Sequence, residues 1–406
     1  SVNISKTAIM IFNKTGRQLQ ESHCFKYGSI RIPSARAYCY LGIVFNLTGS
    51  YTAATDELRK KGLKAYFALK NMLQLDALSV KSVFKLFDSL ILPVVSYGCQ
   101  VWFHNTQFAK SIISGNDELT FFKKIATDPL EKLHLKFLKW TLRVHKKCSN
   151  LACYGDSGRY PLAIKLSKQV VSYYNRLDSL DAANDPSLVR HAFAEQRLRN
   201  LSWYQNTKTL LELAGHNSEH LANPVAVRSD LHVYFDRKWS TARNKSKKLT
   251  YYNQVKRGPS IGLEPFLSLS DSKERQCLMR LRSSSHRFNC ETARYVTKND
   301  LAKHQWTPLW IRRCQFCTTE ETLTLTHLPF GDIIEEDEHH VLISCPRYHE
   351  HRSNLQTDTK SLLLRNEEHQ ELYHWNHVKH FARYVKKIFT TRFPKTTKKH
   401  KGCDKL

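Results

Sequence analysis

Cys314-Gln315-Phe316-Cys317, followed downstream by His340-Val341-Leu342-Ile343-Ser344-Cys345, is the feature that most narrows what this chain can fold into. A C-x2-C pair offers two thiolates from one tight turn, and H-x4-C offers a second pair from a helix or its edge. Three sulfurs at about 2.3 Å and one imidazole at about 2.1 Å make a closed tetrahedral zinc site with no position left for substrate, so the metal is expected to be structural. C-x2-C alone is common; the H-x4-C partner sets this pattern apart. His327 and His339 are rival third ligands, the first lying mid-spacer and the second breaking the H-x4-C count. The acidic run Glu335-Glu336-Asp337-Glu338 is expected to accept from the other ring nitrogen of His340.

Charge sets the second constraint. The 406 residues carry 63 Lys+Arg against 36 Asp+Glu, a formal net charge of +27. Such an excess repels itself in an isolated compact chain and calls for a polyanionic partner, RNA or DNA before an anionic membrane. No lipidation signal, long amphipathic basic helix or run of 18 apolar residues is present, so no membrane partner is expected. With 41% hydrophobic and 11% aromatic residues the chain is not generally disordered, and its length suits two or three domains. Eleven scattered cysteines without a secretory signal point to a reducing compartment, nuclear or cytoplasmic. Ser1 opens directly onto an apolar run, which suggests a fragment of something longer.

Local patterning predicts an α+β, mainly α fold. Ala8–Phe12, Ser29–Ile32 and Ala37–Phe45 read as strands. Leu58, Gly62, Ala65, Leu69 and Met72 then recur at helical spacing, as do Val80, Val83, Phe84, Phe87 and Leu90, stopped before Pro93. Leu130 to Thr141 and Leu162 to Leu180 give two further faces. Residues 184–230 look irregular, with a helix around Leu231–Trp239 and a linker at Arg257-Gly258-Pro259-Ser260. A helix over Asp271–Leu281 precedes the cysteine module, and one carrying Leu372, Trp375, Val378, Phe381, Val385 and Phe389 follows it.

Arg275, Arg280, Arg282, Arg287 and Arg294 crowd around Ser283-Ser284-Ser285-His286, and the tail adds Lys398 and Lys399. Guanidinium forks, ammonium groups and hydroxyls are the groups that position phosphate oxygens, so these residues are candidates for sequence-blind, salt-dependent nucleic-acid contacts.

Several blocks, in order, resemble reverse transcriptases encoded by non-LTR (LINE-type) retrotransposons. They are Asn3-Ile4-Ser5-Lys6-Thr7 with the apolar run behind it, Tyr40-Leu41-Gly42-Ile43, Tyr97-Gly98-Cys99-Gln100-Val101-Trp102 after Pro93, Tyr154 to Leu162, and Leu281-Arg282-Ser283-Ser284-Ser285-His286 with Glu291-Thr292 and Arg294. The resemblance implies that residues 1–48 end a polymerase palm, 49–200 form a helical thumb and 201–300 a helical basic linker. Residues 301–350 would be the zinc module, and 351–406 a closing helix and basic tail. Carried over, Lys6 lies near the incoming nucleotide's phosphates as a possible general acid. Tyr40, Leu41 and Gly42 support the primer terminus, glycine allowing close backbone approach.

Two departures matter. Polymerisation needs aspartates that hold two metal ions, and this chain contains no Asp-Asp pair. Magnesium is therefore expected only for a complete polymerase, and the chain alone is expected to be inactive. The Cys317–His340 spacer is also long, with Thr324–Asp332 resembling an insertion. Two alternatives stand beside this reading. One is a stand-alone, retroelement-derived zinc protein that binds RNA or DNA. The other is a metal-dependent nuclease built on Glu264, Asp271 and Lys273, although Asp271 opens a predicted helix where a strand is wanted.

Overall fold

The computed structural model describes residues 25–296, 311–318, 333–365 and 369–394 apart from 116, 184 and 218–220, together with 3, 7–13 and 15. The fold is α+β and mainly α. Its described strands form two small antiparallel hairpins, β1 (Lys26–Tyr27) with β2 (Ile30–Arg31) and β3 (Ala37–Tyr40) with β4 (Ile43–Asn46). Contacts along the chain divide it into two compact units, one of residues 1–74, 81–137 and 160–239, the other of 75–80, 138–159 and 240–406. Residues 138–159, expected within the thumb, thus group with the C-terminal part. The last crossing falls inside the helix Pro224–Asn244, ahead of the linker expected at Arg257–Ser260.

In the first unit, Ala8–Phe12 is not a strand. Ile9 makes a single bridge to Ser34, and its N–H donates to Pro33 O at 3.0 Å. Pro33 has no N–H to return, so the ladder stops there. Ala37–Phe45 folds back on itself in a hairpin. Its turn residues Leu41 and Gly42 both take positive φ, 47° and 81°, as a tight I′-type hairpin turn requires.

The helix Thr52–Met72 buries Ala54, Leu58, Gly62, Tyr66 and Leu69, while Met72 is exposed. The stripe follows 3.6 residues per turn and has rotated off Met72 by the last turn. At Gly62 a Cβ would stand 2.5 Å from Val95 Cγ1 and 2.7 Å from Leu133 Cδ2, so glycine sets how closely the neighbouring helices approach. The next helix, Val80–Leu86, widens into a π-turn over Phe87–Ile91. That extra residue moves Leu90 out to 52% exposure and Ile91 into the core. Pro93 does not end the run. It opens the helical segment Leu92–Val95, at a position where a missing N–H costs nothing.

Glu131 is buried within the same unit. One carboxylate oxygen lies 2.8 Å from His134 Nδ1, and the other accepts from Leu162 N at 2.7 Å, holding the start of the helix Leu162–Ala182. The described residues between 185 and 230 are more regular than their sequence suggests. Just after Asp185-Pro186, Ser187 Oγ accepts from Arg190 N and caps Leu188–Leu198; Ser202–Leu213 follows.

The second unit is built around a buried ion cluster. Arg282, in the last turn of the helix Ser272–Arg282, is fully buried with its guanidinium 3.2 Å from Asp156 and 3.1 Å from Glu264. Tyr252 Oη donates to Asp156 at 2.8 Å, and Lys256 Nζ reaches Glu264 at 2.5 Å and Gly155 O at 3.0 Å. Burial opposes the charge on Arg282, but Asp156 and Glu264 outweigh it and raise its pKa above arginine's ordinary value. Gly158, at φ 66°, lies so close to residue 263 that a Cβ would meet Leu263 N at 2.6 Å. Residues 154–159 of the Tyr154–Leu162 block are therefore a packing element of this unit. The closing helix is Val378–Arg392, shorter than expected: Leu372 sits in a separate 3-10 turn and Trp375 is 58% exposed.

Candidate metal centre and basic cleft

Cys314, Cys317, His340 and Cys345 converge, their ligand atoms all lying within 4.8 Å of one another. A short ladder holds the first pair: Cys314 N donates to Ile334 O at 2.7 Å and Glu336 N to Arg312 O at 2.8 Å. The C-x2-C turn closes with Cys317 N and Thr318 N both donating to Cys314 O, at 3.2 and 3.0 Å. His340 opens a π-turn, His340–Ser344, closed by Cys345 N donating to His340 O at 2.8 Å. A residue five on in an α-helix is displaced by roughly 140° around the axis. The wider π-turn brings His340 and Cys345 back to one side, which explains H-x4-C as a ligand spacing.

The distances fit one ion. Cys314 and Cys345 sulfurs are 3.9 Å apart, Cys317 and Cys345 3.7 Å, and Cys317 Sγ lies 3.4 Å from His340 Nε2. Ligands at about 2.3 Å around a tetrahedral zinc are separated by about 3.8 Å, so this donor set needs little rearrangement to close on the metal. The neighbouring Cys345 sulfur and burial push the Cys314 thiol up to about 12. A bound cation would reverse that bias. Of the rival ligands, His339 is exposed outside the cluster, while His327 and the expected insertion Thr324–Asp332 lie outside the described residues.

The acidic run is employed differently from expectation. Asp337 Oδ1 accepts from the backbone N of His340 at 2.7 Å, Glu335 pairs with Arg312, and Glu338 takes Ser284 Oγ and His286 Nε2, each at 2.9 Å. Glu336, fully buried, accepts from Asn289 N at 2.8 Å and from both ends of the Arg392 guanidinium at 2.6 and 3.1 Å. These contacts fasten the segment that carries His340 to its surroundings. His286, Cys290 and Glu338 form a second convergence within 4.8 Å. There His286 Nδ1 already accepts from Phe288 N, and Nε2 faces Glu338, so the trio reads as a satisfied polar core.

The arginine candidates separate in the structure. Arg282 is a correction: it is 0% exposed in the ion cluster above and presents nothing to a phosphate. Arg275 is half-buried and donates to the carbonyls of Leu269 and Ser270. Arg280 donates to Arg143 O at 3.2 Å, Arg294 pairs with Glu291 at 2.7 Å, and Arg287 is exposed. Arg280 and Arg287 line a cleft of about 1550 Å³ in the second unit. Lys146, Lys147 and Lys248 lie on it too. Lys248 closes the basic, polar stretch Arg243–Lys248 that the sequence shows after the Leu231–Trp239 helix, whereas the one sequence signal for the other two is the Lys146-Lys147 pair just after a helix end.

Tyr40 and Leu41 stand exposed at the tip of the β3–β4 hairpin, where Tyr97 Oη donates to Leu41 O at 2.8 Å. Gly42 sits beneath Tyr97, whose Cε1 would be 3.2 Å from an added Cβ. Lys6, Lys398 and Lys399 lie outside the described residues. The acids of the nuclease alternative have other roles. Asp271 caps the helix Ser272–Arg282 through Lys273 N and Glu274 N, and Glu264 belongs to the ion cluster. No protein-family model matches this chain, and neither a curated protein nor a solved structure matches it.

Proposed function

We propose that this chain is the C-terminal portion of a LINE-type retrotransposon reverse transcriptase, inactive by itself, that grips RNA and DNA through a zinc-stapled basic region. One observation carries the reading: the resembling blocks are joined pairwise by specific bonds. Tyr97 of one block donates to Leu41 of another, and Asp156 of a third pairs with Arg282 of a fourth. The net charge of +27 supports a polyanionic partner, and the Cys3His cluster supports a structural zinc that orders the region.

The chain's own residues would bind and orient nucleic acid; with no Asp-Asp pair they have no means of clamping the two metal ions that polymerisation needs. Two measurements test this. Fluorescence anisotropy with a labelled single-stranded RNA should show affinity falling roughly three-hundredfold between 50 and 200 mM salt, as expected for about six phosphate contacts to a single strand. Incubation with primer–template, deoxynucleotides and Mg²⁺ should give no extension. Primer extension by this chain, or salt-independent binding, would overturn the proposal.

A further inference from the structure

We infer that the cleft beside the His286 loop is a binding site for single-stranded nucleic acid, with Tyr295 as the platform on which a base stacks. The inference rests on the nucleic-acid reading above and gives it a location and a strand state. Seven lysine and arginine side chains line the cleft against one carboxylate, Glu291. That carboxylate is buried and already has cations around it, Arg294 at 2.7 Å and Lys248 at 3.8 Å. Lys386 is ion-paired with Asp271, and the other lysines and arginines have no further acidic counterpart on the cleft wall. Burial, together with the like charges of Arg287 and Arg143, pulls Arg280 below arginine's ordinary pKa. An anion entering there would relieve the repulsion.

The aromatic residues decide which anion. Tyr295 is 49% exposed, with Lys147 Nζ 4.0 Å from its ring centroid and Lys248 Nζ 3.5 Å from its hydroxyl. Phe389 and Phe393 line the same cleft, partly exposed. Free phosphate or an acidic peptide has no use for such faces. A nucleotide strand has both halves of the complement, phosphates for the ammonium and guanidinium groups and π-faces for the rings. In a duplex those faces are occupied by neighbouring bases, whereas a single strand offers them.

The test uses the full zinc-loaded chain and two probes, a fluorescein-labelled 12-nucleotide oligouridylate and a hairpin duplex of equal charge. The single strand should bind more tightly. Tyr295→Ala should weaken it at least about fivefold, the low end for loss of one base–aromatic stack. Lys273→Glu with Arg287→Glu should weaken both probes and lower the slope of log K against log salt by about 1.4 for the single strand. Unchanged zinc content and melting temperature would show that these exposed substitutions leave the fold intact. Photo-crosslinking of wild-type chain to a 5-bromouridine oligomer, mapped by mass spectrometry, should label Tyr295 or residues 145–147.

Tighter duplex binding, wild-type affinity in every variant, or crosslinks confined elsewhere would overturn the cleft while leaving nucleic-acid binding in place. Failure of the wild-type chain to bind either probe would overturn both.

Discussion

Arg392 closes on Glu336 with two parallel hydrogen bonds, 2.6 and 3.1 Å long, joining the last turn of the closing helix to the acidic run that leads into the metal ligands. The same carboxylate caps Asn289 N, and its backbone N–H bonds the strand just before Cys314. One buried residue, by side chain and backbone together, thereby ties the segments at 289, 312 and 392.

Breaking this junction should be costly. Glu336→Gln keeps the shape but leaves a buried guanidinium without its counter-charge, and the expected loss is about 3–5 kcal/mol, the usual range for a broken buried pair. Thermal melting of the zinc-loaded protein would measure it. A melting temperature within one degree or so of wild type would contradict the role given to Glu336. Chelator-competition assays should also show faster zinc release, because the knuckle loses its tether.

The metal itself is directly countable. Purified chain should contain about one zinc per molecule, as a closed four-ligand site requires. Cys314→Ser with Cys317→Ser should lose it; full retention in that double variant would refute the ligand set. Because the Cys314 thiol is pushed up to about 12 when no cation faces it, binding must displace its proton. Affinity should therefore rise with pH and fall on acidification, and titration in buffers of different ionisation enthalpy should reveal proton release.

Arg282 and Arg287, five residues apart, should behave oppositely. Arg282→Met strands Asp156 and Glu264 in the interior and should destabilise the chain by about 3–5 kcal/mol, seen as a lowered melting midpoint. Arg287→Ala, at an exposed site, should leave stability within about 0.5 kcal/mol and instead reduce the salt slope of single-stranded RNA binding by about 0.7. If Arg282→Met melted like wild type, the ion cluster would not be what holds that part of the fold.

Leu41 is a large apolar residue, 71% exposed, held at φ 47° in a turn position that suits asparagine. Leu41→Asn should accordingly stabilise the hairpin by about 0.5–1 kcal/mol, since strain at such positions costs about that much or more. If the tip supports a primer terminus, the same substitution should weaken primer–template binding while raising the melting temperature. Loss of stability would mean that the backbone there is relaxed as it stands.

Local pattern carried much of this architecture, and its failures have identifiable causes. The convergence of Cys314, Cys317, His340 and Cys345 is legible because metal coordination ties residue type to spacing, even though the π-turn that makes five residues work is invisible in the letters. Leu90 and Ile91 exchanged places because one π-turn shifts a helical stripe by a residue. One helix ends at Ala182, ahead of the expected breakers, but Ser187 caps another that starts straight after Pro186. Arg282 misled because Leu281-Arg282-Ser283-Ser284 looks like a phosphate-facing segment. Its burial depends on Asp156 and Glu264, which no local window contains. The cleft was missed for the same reason, since its walls come from residues near 146, 248, 280 and 390.

The interleaving of the two units in the chain has a consequence for synthesis. Residues 138–159 leave the ribosome well before 240–406, which complete their unit, and during that interval Asp156 has neither Tyr252 nor Arg282 beside it. A premature stop anywhere between them would yield a product in which Asp156 lacks the Tyr252 hydroxyl and the Arg282 guanidinium that satisfy it in the folded unit. Cutting the gene at residue 239 or 240 would not separate two self-sufficient halves.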